Sequence, residues 1–183
     1  MERTEEQKML AGELYRAGDP QLVAARRRCR DLLRRIEAEP EDDARAALFR
    51  ELLGSFGDSS FIQPPFRCDY GSYIEIGERV FVNFDCTVLD CGPVTIGDGV
   101  QIASGVQILA ADHPREPDAR ASGLEFGRPV VIEDNVWIGA GAIVCPGVRI
   151  GRDSIVGAGS VVIRDIPAGV MAAGNPCRVV REL

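Results

Sequence analysis

Two hydrophobic rhythms divide the chain. Up to about residue 60, apolar positions recur at steps of three and four. Leu22, Ala25, Cys29, Leu32 and Ile36 form one stripe along Pro20 to Ile36, the spacing of an amphipathic helix. Asp19-Pro20 reads as its N-cap followed by proline in the first turn. A further helix is predicted over Lys8 to Arg16, and another from Glu41 or Asp42 to Leu53, ended by Gly54 and Gly57.

From Ile74 onward the period becomes six. Ile76, Val82 and Val88 keep that step, a jump of eight around Cys91-Gly92-Pro93 resets the frame, and Ile96, Ile102 and Ile108 follow. Ile132, Ile138, Val144, Ile150, Val156 and Val162 resume it later. A second aliphatic row runs two residues ahead, at Val94, Val100, Val106, Val130, Val136 and Val148. Alternate residues of a strand point the same way, so both rows face an interior and belong to short strands separated by tight turns. Gly77, Gly97, Gly139, Gly151 and Gly157 follow the first row, where a turn needs a positive φ or a missing Cβ. This hexad frame predicts a parallel β-helix, in which each coil buries its core against the next. A β-sandwich would space its strands irregularly, with turn signals at about 8 to 12 residues.

Composition narrows the function. A formal net charge of −7 and a pI near 4.8 argue against a nucleic-acid binder, which needs a concentrated basic face. No apolar run approaches the roughly 20 residues of a membrane span. Glu2, Arg3 and Glu5 stand where a signal peptide would carry its apolar core, so a cytoplasmic location is expected. The six cysteines include no C-x-x-C pair, and one histidine cannot complete a Cys/His zinc set. They are read as small buried hydrophobes, with no metal. Arg26, Arg27, Arg28, Arg30, Arg34 and Arg35 read as a solvated helix face.

The frame falls silent between Ile108 and Ile132, for 24 residues, which is four hexads. The phase survives, yet Ala110 to Pro129 is too polar and proline-rich for regular coil. An excursion that leaves and re-enters a rigid scaffold is where binding residues concentrate. At its start stands His113, the only histidine, and imidazole is the side chain best suited to take and return a proton near neutral pH.

The helical start MLAGELYRAGDPQL, then CDYG, VNFD, the ADHP loop, NVWIG and the closing AAGNPCRVVREL resemble the maltose, galactoside and nodulation sugar O-acetyltransferases over nearly the whole chain. The resemblance implies a mainly β fold, a left-handed parallel β-helix from 61 to 183 with an N-terminal helical cap over 1 to 60. It implies a homotrimer with active sites between subunits, and acetyl transfer from acetyl-CoA to a hydroxyl with His113 as general base. The family's acceptor positions fall on Asp69 and Asn83; turn capping is the alternative for both. Glu125 in the excursion and Tyr15 in the cap are further acceptor-side candidates.

On the acetyl-CoA side, Trp137 offers a flat wall. Arg164, Arg178 and Arg181 can meet phosphates or be scattered surface charges. Backbone N–H groups of Gly139-Ala140-Gly141 are candidate oxyanion donors, or a plain corner. That glycine pattern has no βαβ unit around it, so it is not a dinucleotide site. Phe81 and Cys91 replace a tyrosine and an acidic residue of relatives, pointing to a less polar acceptor pocket. Asp112 replaces a hydroxyl residue beside the histidine. Other readings are a zinc hydratase, which would need three histidines, a non-enzymatic scaffold, and an acetyltransferase for an antibiotic or another small alcohol.

Overall fold

The computed structural model describes residues 3 to 183; the opening Met1 and Glu2, part of the signal-peptide argument, lie outside them. Three helices open the chain. The first, α1 (Glu5–Leu10), starts with a reciprocal Thr4–Gln7 capping box. The second, α2 (Pro20–Ala38), is capped by the Asp19 side chain and buries Leu22, Cys29, Leu32 and Ile36. The third is α3 (Asp42–Leu52).

Two expectations for this region need correction. The helix predicted to reach Arg16 stops at Leu10, because Gly12 takes a left-handed φ of 71°, and Tyr15–Arg16 is a strand. Its partners, Glu125 and Leu124, lie more than 100 residues away, beyond any local rhythm. Gly54 and Gly57 do not turn the chain out of α3 through a positive φ. They allow close approach instead, since a Cβ on Gly57 would stand 2.2 Å from the Gly77 carbonyl oxygen.

Beyond α3 the chain winds into three parallel sheets. The first face stacks Phe61–Ile62, Phe81–Val82, Gln101–Ile102, Trp137–Ile138, Ile155–Val156 and Val170–Ala173, and is closed by an antiparallel strand, Arg178–Glu182. The second carries Phe66–Cys68, Cys86–Leu89, Gln107–Leu109, Ile143–Val144 and Val161–Val162. The third carries Ser55–Phe56, Ile74–Ile76, Val94–Ile96, Val130–Ile132 and Arg149–Ile150. Solenoid pairing thus begins at Ser55, a few residues before the expected boundary. Cap and solenoid also share one hydrophobic core, with Cys29, Leu32, Ile36, Phe49 and Leu52 packed into the same cluster as the coils.

Both aliphatic rows point inward: every member from Ile76 to Val162 and from Val94 to Val148 is buried. Burying each such side chain contributes roughly 1.5–3 kcal/mol, so the stacked rows are the fold's main source of stability. The five glycines after the first row have no positive φ; the left-handed positions come two residues after them, at Arg79, Gly99, Gly141, Asp153 and Gly159. The glycines are required by coil spacing instead. A Cβ on Gly139 would come within 2.5 Å of the Ala158 nitrogen in the next coil.

Register shows where the rhythm breaks. Ile132 pairs with Ile150 and Val144 with Val162, a coil of 18 residues. Earlier, Ile76 pairs with Ile96 and Val88 with Ile108, a coil of 20. The extra residues fall at one corner, between the second and third faces, at Asp69–Tyr73 and again at Asp90–Pro93 directly above. The excursion leaves from that same corner. Ile132 still pairs in phase with Ile96 across it.

Candidate active site

The irregular corner is organised around Asp90, which has no solvent exposure. Its Oδ1 accepts the N–H groups of Asp69 and Tyr70 at 3.0 and 2.9 Å, and its Oδ2 that of Tyr73 at 3.4 Å. Burial raises the Asp90 pKa to about 6 despite these stabilising donors. A small second core of Met9, Tyr15, Leu22, Tyr70 and Cys91 packs the cap against the corner. Arg26, expected to be a solvated arginine, is part of this junction: it donates to the Tyr70 hydroxyl and the Ala17 carbonyl, both at 2.6 Å, and lies over the Tyr70 ring. Arg28, Arg34 and Arg35 find partners in Glu51 and Asp31 at the surface.

Three predicted acceptor-side residues meet here. The Tyr15 hydroxyl donates to Glu125 Oε2 at 3.1 Å, and the buried Cys91 thiol donates to Asp69 Oδ2 at 3.3 Å. Burial, then the Asp69 charge, pushes the Cys91 thiol well above its ordinary pKa, and burial does the same to the Tyr15 phenol. Both stay protonated and serve as donors to Asp69 and Glu125.

The excursion is a small antiparallel structure. Ala111–Asp112 pairs with Leu124–Gly127, which pairs on its other edge with Tyr15–Arg16, and between the two excursion strands lies a short helix, α4 (Pro117–Ala121). The cap thereby pins the loop that carries His113. His113 is exposed, and its N–H donates to Asp112 Oδ1 at 2.8 Å. Burial alone would raise the Asp112 pKa, but the Arg115 and His113 hydrogen bonds outweigh it and hold the carboxyl below its usual range. Asp112 therefore remains an anion.

The remaining candidates lie elsewhere. Asn83 sits at the neighbouring corner, between the first and second faces, where its Oδ1 accepts the Phe84 N–H at 2.8 Å. That bond caps its own turn and leaves the amide NH₂ free of this contact. Gly139 and Ala140 occupy the same corner two coils on. The Gly139 and Gly141 N–H groups are committed to Val156 and Ser104 carbonyls at 2.8 and 2.9 Å, which removes them as oxyanion donors, because coil-to-coil pairing uses them; Ala140 is exposed beside them. Trp137 is 52% exposed on the outer side of the first face, between Gln101 and Ile155. Arg164 lies exposed in the turn after Val162, on the same second-to-third edge as the irregular corner but at the far end of the solenoid, and Arg178 and Arg181 lie exposed on the terminal strand. Within one chain the predicted residues are thus divided between the irregular corner, the neighbouring corner and the first face. Asp90, Tyr70, Arg115 and Arg120 escaped sequence reasoning; the eight-residue jump was the one signal for Asp90.

Among the described residues no group of three or more His, Cys, Asp or Glu side chains is placed to hold a metal ion, and no helix is long and apolar enough to cross a membrane. Comparison with known proteins assigns the family. Residues 8–57 match the maltose acetyltransferase hexapeptide capping motif, 73–110 the hexapeptide repeat of succinyl-transferase, and 129–164 the bacterial transferase hexapeptide. Nodulation protein L of Rhizobium meliloti is 49% identical over 98% of this chain and 99% of its own. A maltose O-acetyltransferase from Clostridium difficile superimposes with a TM-score of 0.97 at 46% identity, covering 99% of this chain and 98% of that one. A hexapeptide-repeat acetyltransferase from Vibrio cholerae, solved with acetyl coenzyme A, does so at 0.93 and 38% identity, covering 99% of each. With its stacked hexads, capping helices and excursion loop, the chain belongs to the hexapeptide-repeat sugar O-acetyltransferase family.

Proposed function

We propose that this protein transfers an acetyl group from acetyl-CoA to a hydroxyl of a sugar such as maltose or glucose, with His113 as general base. The observation that carries this reading is the corner itself: the only histidine stands on an excursion strapped to the cap, and that excursion leaves from the corner where Tyr15 bonds Glu125 and Cys91 bonds Asp69. The carboxylates and neutral donors orient the acceptor. An imidazole nitrogen of His113 takes the hydroxyl proton as the oxygen attacks the thioester carbonyl. The C–S bond then breaks, and the imidazolium returns the proton to the departing thiolate, giving an acetyl ester and CoA.

The first face fits the second substrate. Exposed Trp137 offers an apolar wall, and the Arg178 and Arg181 cations stand on the strand that closes the same sheet. Within one chain, however, that face and Asn83 are separated from His113 by the second face. A second copy presenting its first face to the irregular corner completes the site, and three-fold closure repeats that contact. The outer row Phe61, Phe81, Gln101, Trp137, Ile155 and Met171, apolar except at Gln101, supports such a contact, with the Phe61 and Phe81 rings stacked 6.0 Å apart. We therefore read the active species as a homotrimer with sites between subunits.

Cys91 in the acceptor cluster lowers the pocket's charge and disfavours a galactoside. The test is an acceptor screen that follows CoA thiol release with maltose, glucose, a galactoside, a chitooligosaccharide and aminoglycoside or small alcohol acceptors. Turnover with glucose or maltose above the others supports the reading. Turnover confined to an antibiotic or simple alcohol would reassign the acceptor, and an absence of acetyl-CoA binding by calorimetry would leave a scaffold.

A further inference from the structure

The His113 loop is tied down through its backbone by charged side chains. Asp112, whose side chain is only 11% exposed, accepts the His113 N–H. The Arg115 guanidinium closes on that carboxylate with two bonds, 2.7 Å to Oδ1 and 3.0 Å to Oδ2, and its Nη1 also donates to the His113 carbonyl at 2.9 Å. From α4, Arg120 reaches back to the Pro114 and Arg115 carbonyls at 3.1 and 3.0 Å. Four backbone groups on three consecutive residues are therefore bonded by three side chains, and none of these bonds involves the imidazole.

An exposed ion pair adds little to global stability, and Arg115 is 75% exposed. A bidentate guanidinium–carboxylate pair does impose direction, and here that direction is passed to both polar backbone groups of His113. Proton transfer demands geometry within a fraction of an ångström, and small misplacement of a reacting group is costly in rate. We infer that Asp112, Arg115 and Arg120 are positioning residues, a side-chain staple that presets the His113 loop for proton transfer. This rests on the reading of His113 as the base.

The test combines kinetics with a direct view of the loop. Because the chain has one histidine, the imidazole carbon and proton signals of the intact protein belong to His113 without ambiguity. Arg115→Ala and Arg120→Ala should each lower kcat by roughly 10- to 100-fold, with the KM for acetyl-CoA within about twofold. The inflection of the pH–rate profile should stay in place, since the staple bonds the backbone and not the ring. The imidazole signal should move toward that of a free histidine. Arg115→Lys, which keeps the charge but cannot bond Asp112 and His113 together in the same fork, should recover part of the lost kcat. Unchanged kcat in both alanine variants, while His113→Ala is inactive, would overturn the proposal. So would an unmoved imidazole signal, and a shifted inflection would assign the pair to charge tuning instead. If His113→Ala itself keeps full turnover, the base reading fails; the imidazole signal then still decides whether the staple orders the loop.

Discussion

A carboxyl group with no access to water must either be neutral or have its charge met by donors, and Asp90 does some of each. In an unfolded chain it titrates near 3.8; burial in the corner raises it to about 6 against the pull of its backbone donors. Between those values the folded state binds more protons than the unfolded one, so stability falls as pH rises from about 4 to about 6 and is flat beyond, a loss on the order of 3 kcal/mol. Asp90→Asn should remove this component. Urea unfolding at pH 4 and pH 7 checks it: the wild type should lose more stability between the two than the variant, and parallel losses would contradict the assignment. Beside it, Tyr15→Phe deletes the bond to Glu125. Its expected effect is a higher KM for the acceptor, with acetyl-CoA binding unchanged by calorimetry.

At the level of elements, the consequential contact is the short antiparallel strap joining cap and excursion. It depends on Gly12, whose φ is 71° and where a Cβ would come within 3.2 Å of the Gly127 carbonyl oxygen. Gly12→Ala adds strain in both respects and should cost about 1 kcal/mol or more. Amide exchange should quicken at Tyr15, Arg16 and Leu124 to Gly127 while the solenoid ladder around Ile138 stays protected; a uniform change would contradict this local role. Such straps explain what sequence could and could not reveal. The coils were legible because each strand repeats one short instruction, aliphatic inside and turn residue after, and outside the excursion its partner lies one coil of 18 or 20 residues away. Tyr15–Arg16 was not, since two residues carry no periodicity and their partners are set by tertiary pairing. His113 and Glu125 were visible as departures from the frame, and Tyr15 and Asp69 through resemblance alone. Asp90 was signalled only by the eight-residue jump beside it, and its importance arises from burial, which no single hexad displays. At Gly139 sequence left donor and plain corner open, and the bond from its N–H to the next coil favours the plain corner.

For the whole molecule, the distance between the irregular corner and the first face makes assembly part of the chemistry. Sedimentation should give three times the 19.8 kDa chain mass, and an active monomer would contradict a site shared between copies. The proposed chemistry depends on one imidazole, so the most direct measurement compares wild type with His113→Ala, by CoA release under saturating acceptor and by acetyl-CoA calorimetry. The account predicts that kcat falls by about 10²- to 10⁴-fold while acetyl-CoA still binds with near wild-type affinity; turnover within a few fold of wild type would contradict it.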